Sequence, residues 1–200
     1  YWYRLYAVNA GGTSSGYAAA SATTTVSPPA TPASLTATTA SSSQIDLTWT
    51  NQADATSYHI DRSTISATSG FSRLVSNDAG TPYNNTGLTA NTTYWYRLYA
   101  VNAGGTSSGY AANQATTLPN PPAAPTGWTA TTPALNMIRL TWTDNATNES
   151  GFKVYDGGTE VASLGAGSGT MSWDRSGLPA DTWVCHHLDA WNAGGTTAAT

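Results

Sequence analysis

The residues best equipped for chemistry stand near the C-terminus, in the run Trp183-Val184-Cys185-His186-His187-Leu188-Asp189. On a strand, side chains alternate between faces, so Cys185, His187 and Asp189 share one face with i, i+2 neighbours near enough to meet one ion. A thiolate, an imidazole and a carboxylate placed in this way would suit Zn or Cu. The competing reading is a drifted strand with surface His, in which a half-buried His186 bonds to a neighbour. A second cluster, Asp144-Asn145-Ala146-Thr147-Asn148-Glu149, offers oxygen ligands for Ca²⁺ but lacks the central Gly and terminal Glu of an EF-hand loop, and it reads as a turn. Elsewhere titratable groups are sparse, with three His, one Cys and eleven acidic residues spread along the chain. No G-x-S-x-G elbow, P-loop, dinucleotide fingerprint or H-E-x-x-H motif is present. The expectation is a chain that is not an enzyme and needs no cofactor.

Aromatic residues are the other candidates. Trp95, Tyr99 and Tyr110, with counterparts Trp2, Tyr6 and Tyr17, fall on the solvent side of predicted strands. Three fates suit such residues: cover by Arg97 and cross-strand Thr within a module, packing against another subunit or module, or stacking on sugar rings. Sequons of the N-x-S/T type stand at Asn84, Asn91, Asn145 and Asn148 and are glycosylation candidates in a secreted chain.

The elements that must position these residues follow from repetition. Tyr1 to Thr24 recurs as Tyr94 to Thr117 with only Ala20 replaced by Asn113 and Ser21 by Gln114. The same offset relates Leu47-Thr48-Trp49-Thr50 to Leu140-Thr141-Trp142-Thr143, so one period is about one domain. Period-two alternation predicts strands over 33–39, 44–50, 57–62, 71–76, 83–87, 93–102 and 108–117, and no helix. In the second, Ile45, Leu47 and Trp49 share the buried face. In the sixth, Tyr94, Tyr96, Leu98 and Ala100 oppose Trp95, Arg97, Tyr99 and Val101. The Asn-Ala-Gly-Gly segments at Asn9, Asn102 and Asn192 read as hairpin turns.

Composition narrows the function classes. Of 200 residues only 9% are charged, against about 25% in ordinary globular chains, while 40% are hydrophobic and 10% aromatic. Disorder is excluded. Seven basic residues against eleven acidic ones offer no stripe for phosphates, so nucleic acid is not a partner. Apolar runs are strand-sized, which predicts no membrane span. A single Cys185 forms no intrachain disulfide.

The Pro28-Pro29-Ala30-Thr31-Pro32 lead, the Ile45-x-Leu47-x-Trp49 strand and Leu88-Thr89-Ala90-Asn91-Thr92-Thr93-Tyr94 followed by Tyr96-Arg97-Leu98-Tyr99-Ala100-Val101-Asn102 resemble the fibronectin type III family. The resemblance implies an all-β fold of tandem Ig-like sandwiches with seven strands per module. It makes Trp49 a core residue and Tyr94 the tyrosine-corner residue, whose hydroxyl bonds backbone near the E–F turn. Trp142, Leu47, Leu98 and Leu140 join the expected core. Val184 replaces the corner tyrosine in the last copy.

The expected division is residues 1–24 as the F–G hairpin of a preceding module, 25–117 as a complete module, and 118–200 as a module lacking its G strand, together a piece of a longer array. Short proline-rich junctions predict beads on a semi-rigid string. Such an array suits a prokaryotic extracellular or cell-surface stalk, or the repeating material of a fibre, with copies of itself or neighbouring modules as partners. The alternative is a set of spacer or carbohydrate-binding modules in a secreted polysaccharide-degrading enzyme, with polysaccharide as partner.

Overall fold

A computed structural model describes residues 1–200. The first segment is a hairpin, in which β1 (Trp2–Leu5) pairs with β4 (Ala18–Ser21) and β2 (Val8–Asn9) with β3 (Gly12–Thr13). The middle module contains β5 (Thr36–Thr39), β6 (Gln44–Thr48), β7 (Ser57–Ser63), β8 (Ser72–Asp78), β9 (Tyr83–Thr86), β10 (Thr93–Asn102), β11 (Gly105–Thr106) and β12 (Ala111–Thr116). The last comprises β13 (Thr126–Ala134), β14 (Met137–Asp144), β15 (Gly151–Asp156), β16 (Thr159–Gly165), β17 (Gly169–Ser176), β18 (His186–Asn192) and β19 (Gly195–Ala198). The fold is all-β and Ig-like, and no helix is long and apolar enough to cross a membrane.

In the middle module β5-β6-β9 forms one sheet, and the other has the order β11-β10-β7-β8 with β12 also on β10. The third repeats this as β13-β14-β17 facing β16-β15-β18-β19. Each sandwich closes over alternate side chains, because a strand sends every second residue to the same face. Ile45, Leu47 and Trp49 meet Tyr58, Ile60, Tyr94, Tyr96, Leu98 and Ala100 in the middle core. Leu140, Trp142, Phe152, Val154, Leu188 and Ala190 fill the third. Trp49 packs edge-on against Tyr58, and Trp142 against Phe152.

The tyrosine corner is present in the middle module, where the Thr89 N–H donates to the Tyr94 hydroxyl at 2.9 Å. Val184, half-buried, offers no such acceptor in the third, and strand order begins only at His186. Of the strand predicted over 108–117, Ala111–Thr116 forms, and it is preceded by the short β11, with Ser107 Oγ between the two accepting from the Ala100 N–H and donating to the Gly109 carbonyl. In the third module the chain continues past the Asn192 turn as a four-residue strand, β19, which pairs with β18 and sets Ala198 opposite Asp189.

Candidate interaction surface

The strand run that carries Cys185, His187 and Asp189 does not assemble a metal centre, and no group of three or more His, Cys, Asp or Glu side chains converges anywhere in the structure. Cys185 precedes β18 and is exposed. His187 lies flat on Tyr155, with ring centroids 4.4 Å apart and planes 7° from parallel. Asp189 sits across from Lys153, whose Nζ instead bonds Glu160 at 3.0 Å. His186 is the better-partnered histidine. Arg175 Nη1 lies 2.8 Å from its Nε2 and 2.6 Å from Asp156 Oδ2. Burial, followed by the nearby Arg175 charge, pushes the His186 imidazole below its ordinary value. The Arg175 hydrogen bond holds the Asp156 carboxyl below the usual carboxylate range.

The aromatic candidates do come together. Tyr99 and Tyr110 face each other across the β10–β12 edge at 5.4 Å between centroids. Arg97 completes the row, its guanidinium carbon 4.5 Å from the Tyr110 ring and 3.7 Å from that of Phe71. Its Nη2 donates to the Ala67 carbonyl at 3.1 Å, which draws the 64–71 loop over the sheet. Ser63 Oγ secures the base of that loop by donating to Ser69 O at 2.7 Å and accepting from the Ile65 N–H at 3.0 Å. In the first hairpin the same row recurs, with Tyr6–Tyr17 at 5.4 Å and Arg4 over Tyr17 at 4.5 Å.

Trp95 stands apart from the row. It lies opposite Gln114 and Ser63 and lines an open groove of about 190 Å³ whose other walls are Ala67, Phe71, Ala112 and Asn113. A larger groove, about 410 Å³, lies at the end of the third module between the Leu135-Asn136 turn and the 178–183 loop, beside the exposed Trp183.

All four sequon asparagines, Asn84, Asn91, Asn145 and Asn148, are exposed, and they divide by side-chain hydrogen bonding. The side-chain amides of Asn145 and Asn148 are engaged instead, Asn145 with the Ala124 carbonyl and Asn148 with that of Asn120.

Sequence reasoning passed over Asn102 and Asn192 as plain turn residues. Each uses its Oδ1 to accept the N–H of the first turn glycine, at 2.7 Å in both cases, and its Nδ2 to hold an incoming carbonyl, that of Ser27 or Asn120, at 2.9 Å. The second glycine has φ +129° at Gly105 and +137° at Gly195, which L side chains rarely adopt. Recurrence of Asn-Ala-Gly-Gly was the available signal.

A model of the fibronectin type III domain matches residues 28–115, which span the whole middle sandwich. The chain belongs to the fibronectin type III family. A solved Fn3-like protein from Clostridium thermocellum is 30% identical, covering 47% of this chain and 97% of its own, with a TM-score of 0.41. The FN1–FN3 domains of chicken CNTN1 are 15% identical over 99% of this chain and 72% of theirs, with a TM-score of 0.48. No curated protein matches the chain. Fibronectin type III domains are generally non-catalytic modules and typically occur in extracellular or cell-surface proteins.

Proposed function

We propose that this chain is a non-enzymatic structural repeat array of an extracellular or cell-surface protein, and that it packs laterally against copies of itself as the repeating material of a stalk or fibre. The observation that supports this reading is the duplicated outer face. Tyr6, Tyr17 and Arg4 reproduce the spacing of Tyr99, Tyr110 and Arg97, so one neutral aromatic surface with a single cation returns at a one-module interval. Periodic, self-identical surfaces are what an ordered assembly needs. With 9% charged residues, little like-charge repulsion opposes contact between neighbouring sheets. Sedimentation velocity and negative-stain microscopy, at low salt and at about 1 M salt where screening is nearly complete, test the reading. Filaments or discrete oligomers that survive high salt are expected. Monomers under every condition, or assemblies that salt dissolves, overturn it.

The Trp95 groove favours one second reading, that the modules are carbohydrate-binding spacers of a secreted polysaccharide-degrading enzyme. An indole flanked by the Gln114 amide offers a stacking face and a neutral hydrogen-bonding group, which suits a pyranose ring. Native electrophoresis through hydroxyethylcellulose tests it. Retardation lost in Trp95→Ala is the expected result, and equal mobility with and without the polysaccharide removes the reading.

A further inference from the structure

The chain on the two sides of Pro119 is tied to two different modules. On the near side, the Leu118 N–H donates to the Ser41 carbonyl at 3.2 Å, and the Leu118 carbonyl accepts from the Asn91 N–H at 3.0 Å. Thr117, buried just before it, donates from Oγ1 to Thr89 O at 2.7 Å and accepts from the Thr92 N–H at 3.0 Å. Ser41 lies in the β5–β6 turn and Thr89–Thr92 in the loop before β10, so these anchors belong to the middle module.

The far side is held by the third module. The Asn120 carbonyl accepts from Nδ2 of both Asn192 and Asn148, each at 2.9 Å. Asn192 Nδ2 donates as well to the Asn148 carbonyl at 3.0 Å. The Pro119 carbonyl oxygen rests on Gly194, where a Cβ would overlap it. Only a glycine lets the linker lie that close.

Between the Leu118 and Asn120 carbonyls stand Pro119 and Asn120. The pyrrolidine ring fixes the φ of Pro119 at about −65°, and Leu118 and Asn120, each followed by a proline, are kept out of the α region. The torsions that remain are ψ of Pro119 and the φ and ψ of Asn120, the residue whose carbonyl the two asparagines hold. The first junction differs. Asn102 holds Ser27 O at 2.9 Å and Gly104 leaves room for the Val26 carbonyl, but Val26 stands where the second junction has Pro119.

We propose that the Asn-Ala-Gly-Gly turn is a receptor for an extended linker backbone, and that at Leu118–Pro119–Asn120 it locks the third module in one orientation to the middle one. Asn192 and Gly194 are the residues that seat the linker. This property holds whether the array packs against itself or serves as a spacer.

Spin-label distance measurements on the full chain test it. The pair Cys185 and Ser76→Cys spans the second junction, which is expected to give a single narrow distance distribution. Asn192→Ala, Gly194→Ala and Pro119→Gly should each broaden that distribution about twofold or more, as a flexible linker does. Gly104→Ala should leave it unchanged. Thermal melting shows whether the third module stays folded in each variant; if Gly194→Ala unfolds it, the other two substitutions carry the test. A broad distribution in the parent chain, or a narrow one that none of the three substitutions moves, overturns the proposal.

Discussion

Residues 1–24 and 94–117 carry nearly the same sequence and sit in opposite surroundings. Leu98 is 0% exposed and Leu5 is 74% exposed; Tyr96 is 0% and Tyr3 61%. Yet the short-range geometry is shared. The aromatic pair, the arginine over the second tyrosine, the Asn-to-Gly turn contact and the Ser107 or Ser14 bridge to the backbone all recur. Local sequence therefore sets the hairpin's own shape, while the rest of the sandwich sets what that shape is worth. Paired substitutions at equivalent positions separate the two contributions.

The largest expected difference is at the buried leucine. Leu98→Ala leaves a hole among Ile45, Leu47, Tyr58 and Ile60 and should cost about 2–5 kcal/mol of middle-module stability. Leu5→Ala, on an exposed face, should change it by less than about 0.5 kcal/mol. Equilibrium denaturation followed by Trp fluorescence checks both. Equal effects would mean that residues 1–24 are buried against something in solution.

The second contrast is polar. Asn85 Nδ2 donates to the Tyr96 hydroxyl at 2.8 Å inside the core, so Tyr96→Phe strands a buried amide and should cost about 1–3 kcal/mol. Tyr3→Phe should be silent. Burial also pushes the Tyr96 phenol up to about 12 from 10.0. A phenol raised in the folded state stabilises it fully below its unfolded value, and that stability is lost as pH climbs through the folded one. The middle module should therefore weaken between pH 10.0 and about 12. Denaturation curves across that window should show the loss, and Tyr96→Phe should flatten it.

Why some of this was readable in advance follows from range. Strand β10 was legible to the residue, because its two-residue alternation runs unbroken from Thr93 to Asn102. Leu47 and Trp49 share one face by the same period, Leu140 and Trp142 are their counterparts by the repeat offset, and Tyr94 follows from the family resemblance; these residues and Leu98 are buried. Strand ends were less legible, as at β5, which starts at Thr36, three residues after the predicted start at 33. Phe71 under Arg97 was not legible, since the loop that brings it there closes through Ser63 and a backbone carbonyl. At Cys185, His187 and Asp189 the strand alternation was legible but its start was not, since β18 begins at His186, one residue after the thiol. Asn102 was visible as a turn former, but its partner Ser27 lies far away in the chain.

Asn102 supplies the third contrast. Its amide donates to Ser27 O and Asp54 O, whereas Asn9 shares only the contact to its own turn glycine. Asn102→Ala should cost about 1–2 kcal/mol, and Asn9→Ala at most a few tenths, by the same denaturation measurement. Similar losses at both sites would show that the turn contact, and not the linker, carries the energy.

The smallest difference concerns Arg97 and Arg4. Both stack on a tyrosine at 4.5 Å, but only Arg97 also lies over Phe71 and bonds the Ala67 carbonyl. A lysine keeps the charge and loses the flat guanidinium that fills the space between two rings while donating in its own plane. Arg97→Lys should therefore cost about 0.5–1 kcal/mol, while Arg4→Lys falls within error. Amide hydrogen exchange sharpens the reading, because the loss should appear as faster exchange at the Ile65 and Ser66 N–H groups held by Ser63, with β6 unaffected. Exchange that rises evenly across the module would instead place Arg97 among ordinary surface charges, and the loop's position would have to come from Ser63 alone.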